Sequence, residues 1–147
     1  MTIHKLSRHA KALAVTGALL FLAGLVQGGA ISAFTNPRMA LSAHLDAVQS
    51  GMALMIAGLF WGYCTFDAKS EAVARWALAT GMVGLWLGLT LAALTGASQV
   101  LPLAGAGFAA APLAEMVTAA LVLLSSAALA IGWALFALGL IRTRCSP

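Results

Sequence analysis

An all-α integral membrane protein, a bundle of four transmembrane helices, is predicted by three observations. The 147 residues are 62% hydrophobic and only 8% charged, where a soluble domain carries roughly a quarter charged residues. Mean hydropathy is +0.99. The few charges bound four charge-free runs: Lys11–Arg38, Asp46–Asp67, Arg75–Glu115 and Glu115–Arg142. Each can supply the roughly 20 apolar residues that cross a bilayer. Alternation with a period of two is absent, which argues against a β-barrel. No hydrophilic stretch is long enough to fold apart, so 1–147 reads as one domain.

The first helix is expected over 12–33. Lys5, Arg8 and Lys11 ahead of an apolar run, with Gly28 and Ala30 near its end, imitate a secretion signal. The run from Ala12 to Ala33 is longer than the about 7–15 apolar residues of such a signal, so it reads as a retained helix. The second helix, 38–65, opens at Asn36-Pro37, where Asn caps free N–H groups and Pro suits the first helical position. The third, 73–95, follows a short polar loop in which Glu71 and Arg75 stand four apart as an ion pair on a solvated face. The connection from Thr95 to Pro112 holds Gly96, Pro102, Gly105 and Gly107 and no charge. It is either a lid over a cavity or a connector lying in lipid. The fourth helix, 113–141, carries Glu115 in its first turn, complementing the helix dipole.

Orientation follows from the basic residues. Lys5, Arg8, Lys11, Lys69, Arg75, Arg142 and Arg144 share one face of a four-pass chain, and Arg38 alone lies on the other. Both termini are therefore expected to be cytoplasmic, in a multi-pass protein of a bacterial inner membrane. The net charge of +4 expresses this rule and does not point to nucleic acid. Cys64 and Cys145 fall near the cytoplasmic ends, where thiols stay reduced, and no CxxC or zinc spacing occurs. GxxxG pairs at Gly24/Gly28, Gly58/Gly62 and Gly84/Gly88 suit close helix packing. A bundle this thin is expected to form a homo-oligomer.

The chemistry is concentrated in Asn36-Pro37-Arg38-Met39-Ala40-Leu41-Ser42-Ala43-His44-Leu45-Asp46-Ala47-Val48-Gln49-Ser50-Gly51. Ionisable groups at membrane depth are costly and so are functional candidates. At 100° per residue His44 shares a stripe with Val48, Gly51 and Met55, while Ser42, Asp46, Gln49 and Ser50 form another about 160° away. Direct hydrogen bonding between His44 and Asp46 within one chain is not expected. A lone histidine beside a small apolar surface suits an axial haem ligand. A hydrogen-bonded interfacial histidine without a ligand suits the same residues. Asp46 and Glu115 each gain from a helix N-terminus, with or without a catalytic task. Trp61, Trp76 and Trp133 read as interfacial or packing residues and Trp86 as core. His4 and His9 belong to the basic tail.

The run NPRMALSAHLDAVQSGM, helix 3 with Trp86, and LPLAGAG before Glu115 resemble the hydroxylaminobenzene mutase family. They are more distantly similar to styrene oxide isomerase. The resemblance extends from helix 1 to Arg142. It implies a small four-helix membrane isomerase that converts an N-arylhydroxylamine into a 2-aminophenol. By the isomerase relative it also implies ferric haem b at a subunit interface of a trimer, with His44 as axial ligand. Asp46, Gln49 and Ser50 would then position a small aromatic substrate or carry a proton. The relatives carry Asn where this chain has Ser50, and the epoxide isomerase has Asp and Tyr in helix 3 where this chain offers Trp86 and Thr90. Asp46 agrees better with the mutase branch. The competing expectations are an epoxide isomerase, a non-enzymatic haem- or quinone-associated membrane subunit, and a structural subunit without cofactor.

Overall fold

A computed structural model describes residues 6–143; His4, Lys5, Arg144 and Cys145 lie outside the described residues. The chain forms α1 (Arg8–Gly28), α2 (Pro37–Phe60), α3 (Ala68–Thr95) and α4 (Pro112–Ile141). All four are long and apolar enough to cross a membrane, and no strand occurs among the described residues. The fold is the expected all-α four-span bundle.

Polar caps set the helix boundaries. α1 starts at Arg8, four residues before the expected position, because Ser7 Oγ accepts the Ala10 N–H at 3.1 Å. It stops at Gly28 and continues as a single 3-10 turn over Ile31–Ala33. α2 begins as expected: Asn36 Oδ1 accepts the Met39 N–H at 3.1 Å and Pro37 takes the first position. It ends at Phe60, with a 3-10 turn over Trp61–Tyr63 completing the span. α3 starts at Ala68 rather than 73 because Asp67 caps it, accepting N–H groups from Lys69 and Ser70. The Ser70 hydroxyl also donates to Asp67. These bonds, the Ser70 hydroxyl foremost, hold the Asp67 carboxyl below the usual range.

α1 packs along α2 and α4 along α3, and the α2–α3 contact joins the two pairs. Leu13, Leu54, Trp61, Leu78 and Phe136 form one core cluster. Met39, Ala40 and Ala43 meet Leu89, Ala92 and Ala93 in a second, nearer the start of α2. Leu19, Leu22, Leu124 and Ile131 are exposed, giving the apolar outer face that a bilayer requires.

Glycine sets the α1–α2 distance. A Cβ on Gly17 would lie 2.6 Å from the Gly51 carbonyl oxygen, and one on Gly58 would lie 2.8 Å from that of Ala10. A Cβ on Gly24 would meet the Ala47 Cβ at 2.8 Å. Contact therefore runs through Gly17 and Gly24 on one helix and Gly51 and Gly58 on the other, each pair seven residues apart. Of the four-residue pairs, Gly24/Gly28 does meet α2 and Gly84/Gly88 meets α4, but a Cβ on Gly62 would touch nothing. The antiparallel backbones approach closely enough for packing to hold them without a hydrophobic drive.

The Glu71–Arg75 pair is not formed. Glu71 Oε1 is instead 2.8 Å from His9 Nδ1 and accepts the Trp61 indole N–H at 3.0 Å. Arg75 lies over the Trp76 ring at 4.8 Å. Glu71 thus ties α1, the turn after α2 and α3 together at the end of the bundle where α1 starts and α4 ends. Trp61 is buried there against Phe66 and Phe136, as its packing role required.

Candidate functional site

The opposite end of the bundle holds the 29–36 and 96–111 connections and the polar residues of α2. Asn36 organises it. Fully buried, it donates its backbone N–H to the Ala93 carbonyl at 2.9 Å and its side-chain amide to the Ala104 carbonyl at 3.0 Å. Arg38 donates to the Ala106 carbonyl, and its guanidinium lies 5.9 Å from the Phe108 ring centroid. The only basic residue expected on this face therefore serves as a loop clamp.

The 96–111 connection is folded over the start of α2. Gly96 leaves α3 in the left-handed region, at φ 81°, where any other residue would be strained. The Glu115 carboxylate accepts the N–H groups of Ser98, Gln99 and Ala110 at 3.0–3.3 Å. Those contacts saturate it as a structural anchor. Glu115→Ala would strand three N–H groups, at roughly 1–3 kcal/mol for each that stays buried. Limited proteolysis is expected to cut 96–111 in that variant and spare the native loop; equal cutting of both would contradict this role.

His44 lies seven residues into α2, about 10 Å below its start. The half-buried ring packs on α1, with Nδ1 2.7 Å from the Gly24 carbonyl oxygen. A carbonyl oxygen only accepts, so Nδ1 carries a proton, and in the neutral ring Nε2 then keeps its lone pair. Gly28 makes room for the ring, since a Cβ there would lie 2.7 Å from Nδ1 and Cε1. Gly51 does not add a free surface beside His44: its Cβ position is filled by the Gly17 carbonyl and the Phe21 backbone. Half-buried Val48 and Met55 remain on that stripe.

Asp46 and Ser50 sit on the other side of α2. Ser50 Oγ is 3.5 Å from Asp46 Oδ1, and Asp46 Oδ2 is buried with no partner among the described residues. Gln49 is exposed, and its side chain makes no hydrogen bond among the described residues. The helix thus separates His44 from Asp46, as the 160° offset requires, and groups Asp46 with Ser50 but not with Gln49.

One polar group escaped the sequence reading. Gln27, near the end of α1, is 7% exposed. Its Oε1 accepts the Trp86 indole N–H at 2.7 Å, and its Nε2 donates to Thr90 Oγ1 at 3.2 Å. Trp86 is therefore a hydrogen-bonding residue as well as a packing one. The signal was present, since Gln27 is the only amide in the α1 span, but a search by charge passes over it.

Among the described residues no three His, Cys, Asp or Glu side chains converge on a metal position. A porphyrin needs one protein nitrogen, and His44 meets that demand. The Nδ1–H bound to a backbone carbonyl and the space left for the ring at Gly28 are features that an axial histidine would use.

Comparison with known proteins gives a family model described as styrene oxide isomerase, matching residues 9–141. Hydroxylaminobenzene mutase HabA of Ectopseudomonas oleovorans is 39% identical over 106 residues, covering 71% of this chain and 78% of that protein. Hydroxylaminobenzene mutase HabB of the same organism is 34% identical over 111 residues, covering 73% and 68%. No solved structure matches the chain significantly.

Proposed function

The chain belongs to the styrene oxide isomerase family and is a membrane-embedded isomerase, and we propose that it converts N-arylhydroxylamines such as hydroxylaminobenzene into 2-aminophenols. The reaction is redox-neutral. The N–O bond breaks, a C–O bond forms at the ortho carbon, and the proton leaving that carbon ends on nitrogen. Similarity to two proteins named for this activity supports the choice over an epoxide substrate. The helix 3 region Gly84–Leu94 points the same way, having neither Asp nor Tyr.

The observation that carries the site is the 2.7 Å bond from His44 Nδ1 to the Gly24 carbonyl. It fixes the ring, and Nε2 is the atom that would hold ferric haem b. When bound, the haem supplies Lewis acidity toward the N–O bond. Asp46 holds and moves the proton, through the buried oxygen that has no partner among the described residues. Ser50 steadies the other oxygen, and Gln49 faces the substrate from the exposed edge of the helix. The surrounding apolar side chains exclude water, so the departing hydroxyl rejoins the ring.

Because His44 and Asp46 diverge around α2, a haem held by His44 would meet an Asp46 carboxylate most directly from another copy of the chain. The site therefore lies between subunits of a homo-oligomer, a trimer by family likeness. Both termini lie in the cytoplasm, and the His44 end faces the outer side of a bacterial inner membrane. The test is incubation of the detergent-purified protein with phenylhydroxylamine and, separately, styrene oxide, without reductant. Formation of 2-aminophenol is expected. Phenylacetaldehyde from styrene oxide alone would select the epoxide reading, and no product from either would leave a haem-binding subunit.

A further inference from the structure

A groove of about 570 Å³ runs between α1 and α3 on the outer surface of the bundle, lined by Leu22, Val26, Phe34, Gln27, Trp86 and Thr90 among others. A second groove of about 340 Å³ continues it toward Thr16, sharing Leu19, Ala23 and Trp86 with the first. The walls are mostly apolar, with polar side chains at Gln27, Trp86 and Thr90 and Thr16 at the far end of the second groove. Ligand sites of roughly 300–1,000 Å³ commonly combine apolar walls with a few placed polar groups.

The polar network has a direction. The Trp86 N–H donates to Gln27 Oε1, which fixes the amide so that Nε2 donates to Thr90 Oγ1. Thr90 then has a hydroxyl proton to give. Thr80, Thr95 and Ser126 each donate back to the carbonyl four residues earlier, but Thr90 donates to nothing among the described residues. The second Nε2 proton of Gln27 is likewise unused. A donor pair at the wall of an apolar groove in the hydrocarbon costs free energy unless a ligand accepts from it.

We propose that this groove is a lateral capture site for the arylhydroxylamine, taken up from the bilayer before it reaches the His44 site. The ring would lie along Trp86 and the apolar wall, and the nitrogen or oxygen substituent would accept from Thr90 and Gln27. A lipid acyl chain fills the same space but leaves both donors unpaired. The inference rests on the proposed substrate class, while its test reads binding without turnover.

Aniline and toluene are titrated into the purified full-length protein and followed by ligand-detected NMR, with thermal stability measured alongside. Ala23→Phe, which fills the shared part of both grooves, is expected to weaken both ligands at least tenfold. Gln27→Leu is expected to weaken aniline at least fivefold and leave toluene unchanged, a selectivity that general damage to the fold would not produce. With phenylhydroxylamine, Ala23→Phe should raise KM and spare kcat. Unchanged aniline binding in Ala23→Phe overturns the capture site, and loss of co-purified phospholipid without loss of aniline assigns the groove to lipid instead. A native protein that binds aniline in this groove but forms no 2-aminophenol leaves the capture site standing and removes the proposed reaction.

Discussion

His44→Ala is expected to give a folded four-helix protein that purifies without haem and has lost at least about 10³-fold in turnover of phenylhydroxylamine. The magnitude follows from Lewis-acid stabilisation worth several kcal/mol, since about 4 kcal/mol corresponds to roughly 10³ in rate. The ring contributes little to the core, being half-buried with one hydrogen bond to α1, so the fold should survive its removal. Gly28→Val is the companion variant. Its Cβ would arrive 2.7 Å from the His44 ring, displacing the imidazole from the Gly24 carbonyl. Loss of such a supporting bond costs about 10–100-fold in metal affinity. The haem-to-protein ratio, read from the Soret band after purification, checks both. Equal haem content in all three proteins would remove His44 from this role.

Asp46→Asn is expected to lower kcat by roughly 10²–10⁴-fold while haem content stays at the native level, the range associated with a positioned proton carrier. Asparagine keeps the volume and the contact with Ser50 but cannot take up a proton. The buried oxygen, without a partner among the described residues, makes Asp46 a better candidate than Glu115, whose oxygens are taken by three backbone N–H groups. Ser50→Ala removes only a 3.5 Å contact and should cost far less. Steady-state kinetics on haem-normalised protein separates these variants. A kcat for Asp46→Asn within threefold of native would show that the carboxylate moves no proton in the reaction.

Much of the fold was legible because membrane helices announce themselves by run length, and because Asn36-Pro37 states the start of α2 outright. The starts of α1 and α3 moved because a polar residue caps earlier than the apolar run begins, as Ser7 and Asp67 do, while the end of α3 and both ends of α4 fall within a residue of expectation. Four-residue glycine pairs captured only part of the α1–α2 contact. Antiparallel helices at this crossing meet once every two turns, so Gly17, Gly24, Gly51 and Gly58 act together at seven-residue spacing. His44 occupies the next position of that series on α2, which is why its ring turns toward α1.

The candidate site was legible as a list of residues and less so as an arrangement. Helical periodicity separated His44 from Asp46 correctly, because both stand on one regular helix. It could not show that Gly51 would be consumed by α1, nor that Glu115 would fold a distant loop back onto itself. Both depend on contacts between segments far apart in sequence. Gln27 went unread for a different reason. An amide carries no charge to mark it, and its importance appears only once α1 and α3 bring it beside Trp86 and Thr90.

The central claim is that this membrane protein moves a hydroxyl group within one molecule, in a pocket closed to water. The origin of the product oxygen tests that claim most directly. Phenylhydroxylamine is supplied to the purified protein in ¹⁸O-enriched water without reductant, and the aminophenol is analysed by mass spectrometry. The account predicts 2-aminophenol that retains the substrate's oxygen and carries no label. Labelled product, or 4-aminophenol formed by attack of solvent water, would contradict it.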